Sequence, residues 1–273
     1  MSVRVTIVGC AGSFPRPDSP ASCYLLSAED ADGRTWNVAM DLGSGSLGAL
    51  QSYIGLDRLD AVIISHAHAD HYLDMVGLHV ALRWNPAGWS GHPVPVYAAG
   101  MLADRLALVA ELPPDPGMHA EFEFHTWAAM KTEHIGPFTV TPYPVDHPVE
   151  EAYALRITGP GDDGAQAVLA YSGDTDACPA LDEAARSACF YLCEAAYHEG
   201  RDDAVRGVHL TGLRAGESAR SAGAHVLALT HLPVWNDPVR SREEAREVFT
   251  GQVETVAAGD VFVLHGAGRV DRG

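Results

Sequence analysis

The stretch Ser65-His66-Ala67-His68-Ala69-Asp70-His71 packs three histidines and a carboxylate into consecutive short steps. It follows directly on an apolar run, Ala61-Val62-Ile63-Ile64, that reads as a buried strand. At the frayed end of a strand, positions two apart face the same way, so His66 and His68 can grip one ion together. Asp70 and His71 open an apolar-periodic run, Tyr72, Leu73, Met75, Val76, Leu78, Val80 and Leu82, which predicts a helix start beside the first pair. From there they can serve a second ion. Imidazole and carboxylate are ligands that suit zinc or manganese in hydrolytic sites, so metal-assisted hydrolysis is the chemistry expected here.

Other elements must bring further groups to this cluster. Residues 3–10 alternate like a strand and break at Gly9 to Gly12, a turn that lets backbone approach a site closely. This is no dinucleotide fingerprint, because the glycine spacing is wrong and Pro15 and Pro17 follow in place of a helix. Strands are expected at 22–26 and 36–40, the second running into Asp41-Leu42-Gly43-Ser44-Gly45. That loop either hems the metal site or makes a tight strand-to-helix turn. Beyond the ligand helix, Trp84 and Trp89 lie in a loop rich in breakers, where they either line a pocket or cover the core. A strand at 94–97, a helix at 101–112 and a half-buried antiparallel strand at 122–126 follow, with His125 on the polar face of the last.

The later segments repeat one arrangement, a polar group at a strand end. An extended run over 138–145 ends in Asp146-His147-Pro148. A hairpin of 153–157 and 167–171 delivers Ser172-Gly173-Asp174-Thr175. An aspartate in such a turn can bridge two cations with its two oxygens, or cap a helix over 180–188 as an Asx turn. A buried strand over 190–196 carries Glu194, and His209-Leu210-Thr211 precedes a helix over 213–222. The strand that begins at His225 ends in Thr230-His231, which puts the two histidines at opposite ends. An amphipathic stretch over 242–257 and a strand at 261–264 close the chain.

The run His66-Ala67-His68-Ala69-Asp70-His71 resembles the His-x-His-x-Asp-His signature of the metallo-β-lactamase superfamily, and the likeness extends through nearly the whole chain. It implies an α+β fold, the αββα sandwich of two mixed β-sheets flanked by helices, as a single domain over 1–273. It also implies two divalent ions, zinc in the first place, with manganese or iron as alternatives. His66, His68 and His147 would hold one, Asp70, His71 and His231 the other, and Asp174 would bridge them. Ser172-Gly173-Asp174-Thr175 matches the superfamily's bridging loop word for word, and Leu229-Thr230-His231 is closely similar to the phrase holding its last metal histidine. Glu194-Ala195 followed by His209-Leu210-Thr211 resembles the ribonuclease Z-like branch, in which such a histidine acts on the scissile phosphate and is oriented by the glutamate. A carboxylate-oriented imidazole can protonate a leaving alkoxide or hold developing charge. Catalytic roles thus fall to Asp70, His209 and Glu194, with Asp70 also orienting the nucleophile.

Composition narrows the substrate. The chain has 273 residues, enough for a substantial core, and carries 36 acidic against 18 basic residues, a formal charge of −18. Lys131 is its one lysine, and no basic run interleaved with aromatics occurs, so long nucleic acid is not expected as a partner. Cys10, Cys23, Cys178, Cys189 and Cys193 show no paired or zinc-type spacing and read as reduced core residues. Without a signal-peptide pattern or an apolar run near the roughly 20 residues of a spanning helix, no membrane partner and a cytoplasmic location are expected. Ribonuclease Z proper has a long basic arm with no counterpart here, so a transfer-RNA 3′-processing endonuclease is the least favoured reading. The motifs as a set, including Pro17-Asp18-Ser19-Pro20-Ala21-Ser22 and Leu229-Thr230-His231-Leu232-Pro233-Val234-Trp235, resemble the actinobacterial cyclic-AMP phosphodiesterases of atypical class II. The expected substrate is therefore a small phosphodiester such as 3′,5′-cyclic AMP, attacked by a hydroxide shared between the ions. The alternative is hydrolysis of an ester, lactone or thioester. Relatives often pair, so a homodimer is an open expectation.

Overall fold

A computed structural model describes residues 2–86 and 91–273. In chain order come β1 (Val3–Gly9), β2 (Cys23–Glu29), β3 (Thr35–Met40), α1 (Ser46–Leu50), β4 (Ala61–Ile63), α2 (Ala69–Tyr72), α3 (Met75–Arg83), β5 (Val94–Ala98), α4 (Leu102–Val109) and β6 (Phe122–Thr126). Then follow β7 (Glu133–Ile135), β8 (Phe138–Pro144), β9 (Tyr153–Pro160), β10 (Gln166–Tyr171), α5 (Pro179–Ala184), β11 (Phe190–Glu194) and α6 (Gly212–Ala222). The last elements are β12 (Val226–Thr230), α7 (Pro238–Arg246), β13 (Gln252–Thr255), β14 (Val261–Gly266) and β15 (Arg269–Arg272).

Side-chain alternation explains the layers. On a strand, neighbours face opposite ways. Val3, Val5 and Ile7 of β1, with Val38 and Met40 of β3, meet Phe138, Leu155, Leu169 and Leu192 between the two sheets. The intervening Val8, Leu25, Ala39 and Val62 turn outward onto Leu50, Leu78, Leu82 and Leu106 of the first-half helices. In the other sheet Ala170, Tyr191, Leu227 and Leu229 do the same toward Leu181, Ala215, Ala219 and Ala245. Strands covered on both faces read as unbroken apolar runs, as 61–64 does. The result is the expected helix-sheet-sheet-helix sandwich. One sheet has the order β15-β14-β1-β2-β3-β4-β5-β6 and the other β13-β12-β11-β10-β9-β8-β7.

Strand direction gathers the polar ends. β8 and β10 are both antiparallel to β9 and so run the same way, and β10, β11 and β12 are mutually parallel. His147, Asp174, Glu194 and His231 therefore emerge at one rim of their sheet. β3 and β4 are parallel and bring Asp41 and His66 to the facing rim.

Four expectations are corrected. β6 pairs parallel, not antiparallel, with β5, because the chain returns through α4 as a crossover; its alternation reports burial on one face and carries no direction. The ligand helix is two helices, broken where Asp74 N donates to Leu42 O at 3.1 Å and Asp74 Oδ2 accepts from Leu47 N at 2.8 Å. The helix expected within 180–188 is only Pro179–Ala184. The closing amphipathic stretch divides into α7, which starts earlier at Pro238 under an Asp237 cap, and the strand β13. All five cysteines are free, four of them buried. Among the described residues, no helix is long and apolar enough to cross a membrane.

Candidate metal centre

The seven proposed ligands converge at the rim between the sheets. His66 Nε2 and His147 Nε2 lie 3.1 and 3.0 Å from His68 Nδ1. Across from this trio, His231 Nε2 is 3.1 Å from Asp70 Oδ2, and His71 Nε2 is 3.5 Å from the same oxygen. Asp174 stands between the groups: Oδ1 is 3.3 Å from His71 Nε2, while Oδ2 is 3.3 Å from His231 Nε2 and 3.9 Å from His66 Nε2. Donor atoms about 2.1 Å from one tetrahedral ion stand roughly 3.4 Å apart, so the spacing fits metal ligation. The hydrogen bonding fits it as well. His71 Nε2 and Asp174 Oδ1 are buried and face each other at 3.3 Å without hydrogen-bond geometry, an arrangement that a cation would complete.

Backbone geometry aims these groups. Asp41 and His231, at strand ends, adopt left-handed conformations with φ of 58° and 54°. Asp and His are among the residues that tolerate that region. Gly173, at φ +58°, turns the chain so that Asp174 reaches inward; a Cβ there would also lie 2.8 Å from Tyr153 O. A Cβ on Gly12 would lie 2.4 Å from His231 O, so the glycine turn after β1 does permit a close approach to the site. The Asp41 loop resolves in the same way. Gly43 packs against the ligand turn, where a Cβ would fall 1.9 Å from Asp70 O, and Leu42 N donates to His71 O at 2.7 Å.

Asp41 is the residue that sequence reasoning missed. It is fully buried, 2.7 Å from His71 Nδ1, and accepts hydrogen bonds from Ser65 N, Ser65 Oγ and Tyr171 Oη at 2.8, 2.9 and 2.7 Å. It fixes the ring so that Nε2 faces the site, the carboxylate-histidine support common behind metal ligands. The signal was available, since a carboxylate ends the apolar strand 36–40 just as His231 ends β12. His147 is steadied differently, with Nδ1 2.7 Å from Val208 O. Arg105, from α4, donates to Ala67 O and ties down the ligand turn.

Electrostatics divides the two groups. Burial, reinforced by the neighbouring rings, holds His66 and His68 below the ordinary imidazole range, and burial lowers His147 as well. Neutral imidazoles with free lone pairs are the ligating form. On the other side burial opposes charge on Asp70 and Asp174, yet the surrounding histidines outweigh it and hold both carboxyls low. Burial also opposes a proton on His71, but Asp174, Asp70 and Asp41 together raise it well above the usual value. Three carboxylates around one ring make a strong demand for positive charge at that point.

Glu194 and His209 stand beside the cluster. His209 Nδ1 is 2.8 Å from Glu194 Oε1, and its ring lies 5.3 and 5.5 Å from those of His147 and His231. Fully buried Glu194 also accepts from Thr175 N and Ala196 N at 2.9 and 3.0 Å, so its orientation is fixed. Tyr197 meets His209 edge-on, with centroids 5.0 Å apart.

Other sequence candidates fall elsewhere. Trp84 is exposed and lines a separate cavity with Trp36 and Leu82 that includes none of the seven ligands. Trp89 lies outside the described residues. His125 stacks on Tyr97, with ring centroids 4.5 Å apart.

The family described as Beta-lactamase superfamily domain matches residues 46–232. The chain belongs to the metallo-β-lactamase superfamily. Its sequence relatives include a metallo-hydrolase and several ribonucleases Z. An uncharacterized protein of Mycobacterium tuberculosis is 38% identical over 98% of this chain and 94% of its own length. The probable metallo-hydrolase YhfI of Bacillus subtilis is 31% identical over 95% of this chain and 99% of its own. The crystal structure of YhfI superposes with a TM-score of 0.82 at 29% identity, covering 96% of this chain and all (100%) of that one. The ribonuclease Z of Methanopyrus kandleri is 28% identical, over 89% of this chain and 91% of its own length. His66, His68 and His147, and Asp70, His71, Asp174 and His231, form groups whose ligand atoms are close enough together to hold metal ions.

Proposed function

We propose that this metal-dependent hydrolase cleaves a small phosphodiester, a cyclic nucleotide such as 3′,5′-cyclic AMP. The observation that carries the reading is His209, held at 2.8 Å by buried Glu194 on the flank of the cluster. An imidazole held in this way can hand a proton to an alkoxide leaving phosphorus. Sequence relatives that bear the name ribonuclease Z support phosphodiester chemistry. The formal charge of −18 argues for a small substrate over a long polyanion.

His66, His68 and His147 would hold one divalent ion, zinc first, and Asp70, His71 and His231 a second, with Asp174 between. Such a pair, when bound, supplies Lewis acidity for the non-bridging phosphate oxygens and activates water. The chain's own residues do the rest. With Nδ1 committed to Glu194, Nε2 of His209 is the atom that hands a proton to the leaving oxygen. Asp70 orients the attacking water.

The test is turnover of cyclic AMP and of a simple aryl phosphodiester by the metal-loaded protein, alongside His209→Ala. The expected result is hydrolysis of both, at least about 100-fold slower in the variant at unchanged metal content. Unaltered turnover in His209→Ala would reject the assignment, and activity on esters alone would replace the substrate class.

A further inference from the structure

Two exposed aromatic rings stand beside the site. Phe14 and Trp235 are 42% and 59% exposed, and they pack together with centroids 5.4 Å apart at an angle of 48°. Clustered exposed aromatics at a cavity mark binding surfaces more often than core. Neither ring hangs on a loose loop. Leu232 N donates to Cys10 O and Gly12 N to Leu232 O, each at 3.3 Å, so the two loops are laced together. Ser13 N, one residue before Phe14, lies 3.4 Å from His231 Nε2. On the other side of Trp235, buried Asn236 donates from Nδ2 to Ala196 O at 2.8 Å and accepts from Arg201 Nη2 at 2.8 Å.

Trp235 lines a cavity of about 610 Å3 that also includes Ser13, Tyr197, Arg201, Asp202 and His209. That volume suits a small ligand. Since His209 contributes to the wall, a diester held against it has its non-reacting half within this space. The cavity is amphiphilic. Trp235 lines it with an indole, and the guanidinium of Arg201 lines it too, its Nε donating to Asp202 Oδ2 at 2.7 Å. A planar heteroaromatic ring with polar edges matches both. A hydrocarbon chain would desolvate the Arg201 and Asp202 pair without replacing its water.

We propose that Trp235, backed by Phe14, is a stacking platform for the nucleobase of the substrate and sets the preference for nucleotide over base-free diesters. This rests on the phosphodiesterase reading. The full-length, metal-loaded protein is assayed with cyclic AMP and with the base-free ribose 3′,5′-cyclic phosphate, as wild type, Phe14→Ala, Trp235→Ala and Trp235→Phe. The expected result is that the ratio of kcat/KM for cyclic AMP to that for the base-free diester falls about tenfold in Trp235→Ala, the scale of one base-aromatic stack. Phe14→Ala should lower it less, and Trp235→Phe should restore most of it. Trp84→Ala, at the other cavity, serves as the control. Titration with 5′-AMP should quench tryptophan fluorescence in wild type and not in Trp235→Phe. An unchanged ratio, with or without an equal loss on both substrates, would overturn the platform and leave the phosphodiesterase reading standing. Silence of the wild type on both diesters would overturn that reading and the platform with it. Hydrolysis of long-chain esters that depends on Trp235 would assign the surface to an acyl chain instead.

Discussion

At the residue scale, the two carboxylates behind the histidines do different work. Asp41 receives four groups at once in a fully buried place, so Asp41→Ala leaves Tyr171, Ser65 and His71 without their acceptor. The expected loss is about 1–3 kcal/mol of stability for each donor left orphaned, partly offset by relaxation, and about 10–100-fold in metal affinity. Urea unfolding and competition with a chelating dye measure the two, and intact metal affinity would show that His71 needs no support. Glu194 instead tunes a proton. Burial by itself lowers His209, yet the adjoining carboxylate outweighs it and raises the ring to about 9. A raised imidazole keeps its proton below that value and loses it as pH climbs through it, so acid function fails on the alkaline side. In Glu194→Gln the alkaline limb of kcat should move down by about one unit or more; a limb that stays in place would separate Glu194 from the acid.

At the scale of elements, the loop between β11 and α6 is the part that the strand-end pattern does not explain. Its carbonyl at Val208 steadies His147, and the loop is itself clamped by Asp176, which is almost fully buried. Asp176 Oδ2 accepts from Arg206 Nε and Gly207 N at 2.6 and 2.8 Å, and Oδ1 accepts from Arg214 Nη1 of α6 at 2.5 Å. Asp176→Ala should free the loop and weaken metal binding at the His147 group by about 10–100-fold while Glu194 and His209 stay paired. Metal titration followed by calorimetry would check this, and wild-type affinity would show that the loop is held by other means.

At the scale of the whole molecule, the centre joins two sheets. His66, His68, Asp70 and His71 follow β4 in one sheet, while His147, Asp174 and His231 follow strands of the other. Direct bonds cross the same gap, with Tyr171 Oη on Asp41 and Tyr24 Oη 2.7 Å from Thr230 Oγ1. A ligand that binds only the folded form stabilises it by mass action, by about 2.7 kcal/mol at 100 times its dissociation constant. Chelation is therefore expected to lower Tm, and added zinc should restore it in proportion to the logarithm of its free concentration. A Tm indifferent to chelator would mean that the sandwich holds the ligand rim together without a cation.

The sequence by itself determined the candidate ligand types, their order and the strand ends that carry them. Those depend on local rules: alternation, apolar runs buried on both faces, and turns that need glycine. It also determined the sandwich through the resemblance carried by residues 66–71. Only the tertiary structure decided which groups stand behind the ligands. Asp41 and His71 are 2.7 Å apart but far apart in the chain, as are Val208 and His147, and no local periodicity encodes such pairs. The direction of β6 and the break between α2 and α3 were settled in the same way, by a crossover through α4 and by contacts to Leu42 and Leu47. Long-range hydrogen bonds and chain crossings are properties of the packed molecule, and they place the aromatic rings of Phe14 and Trp235 together as well.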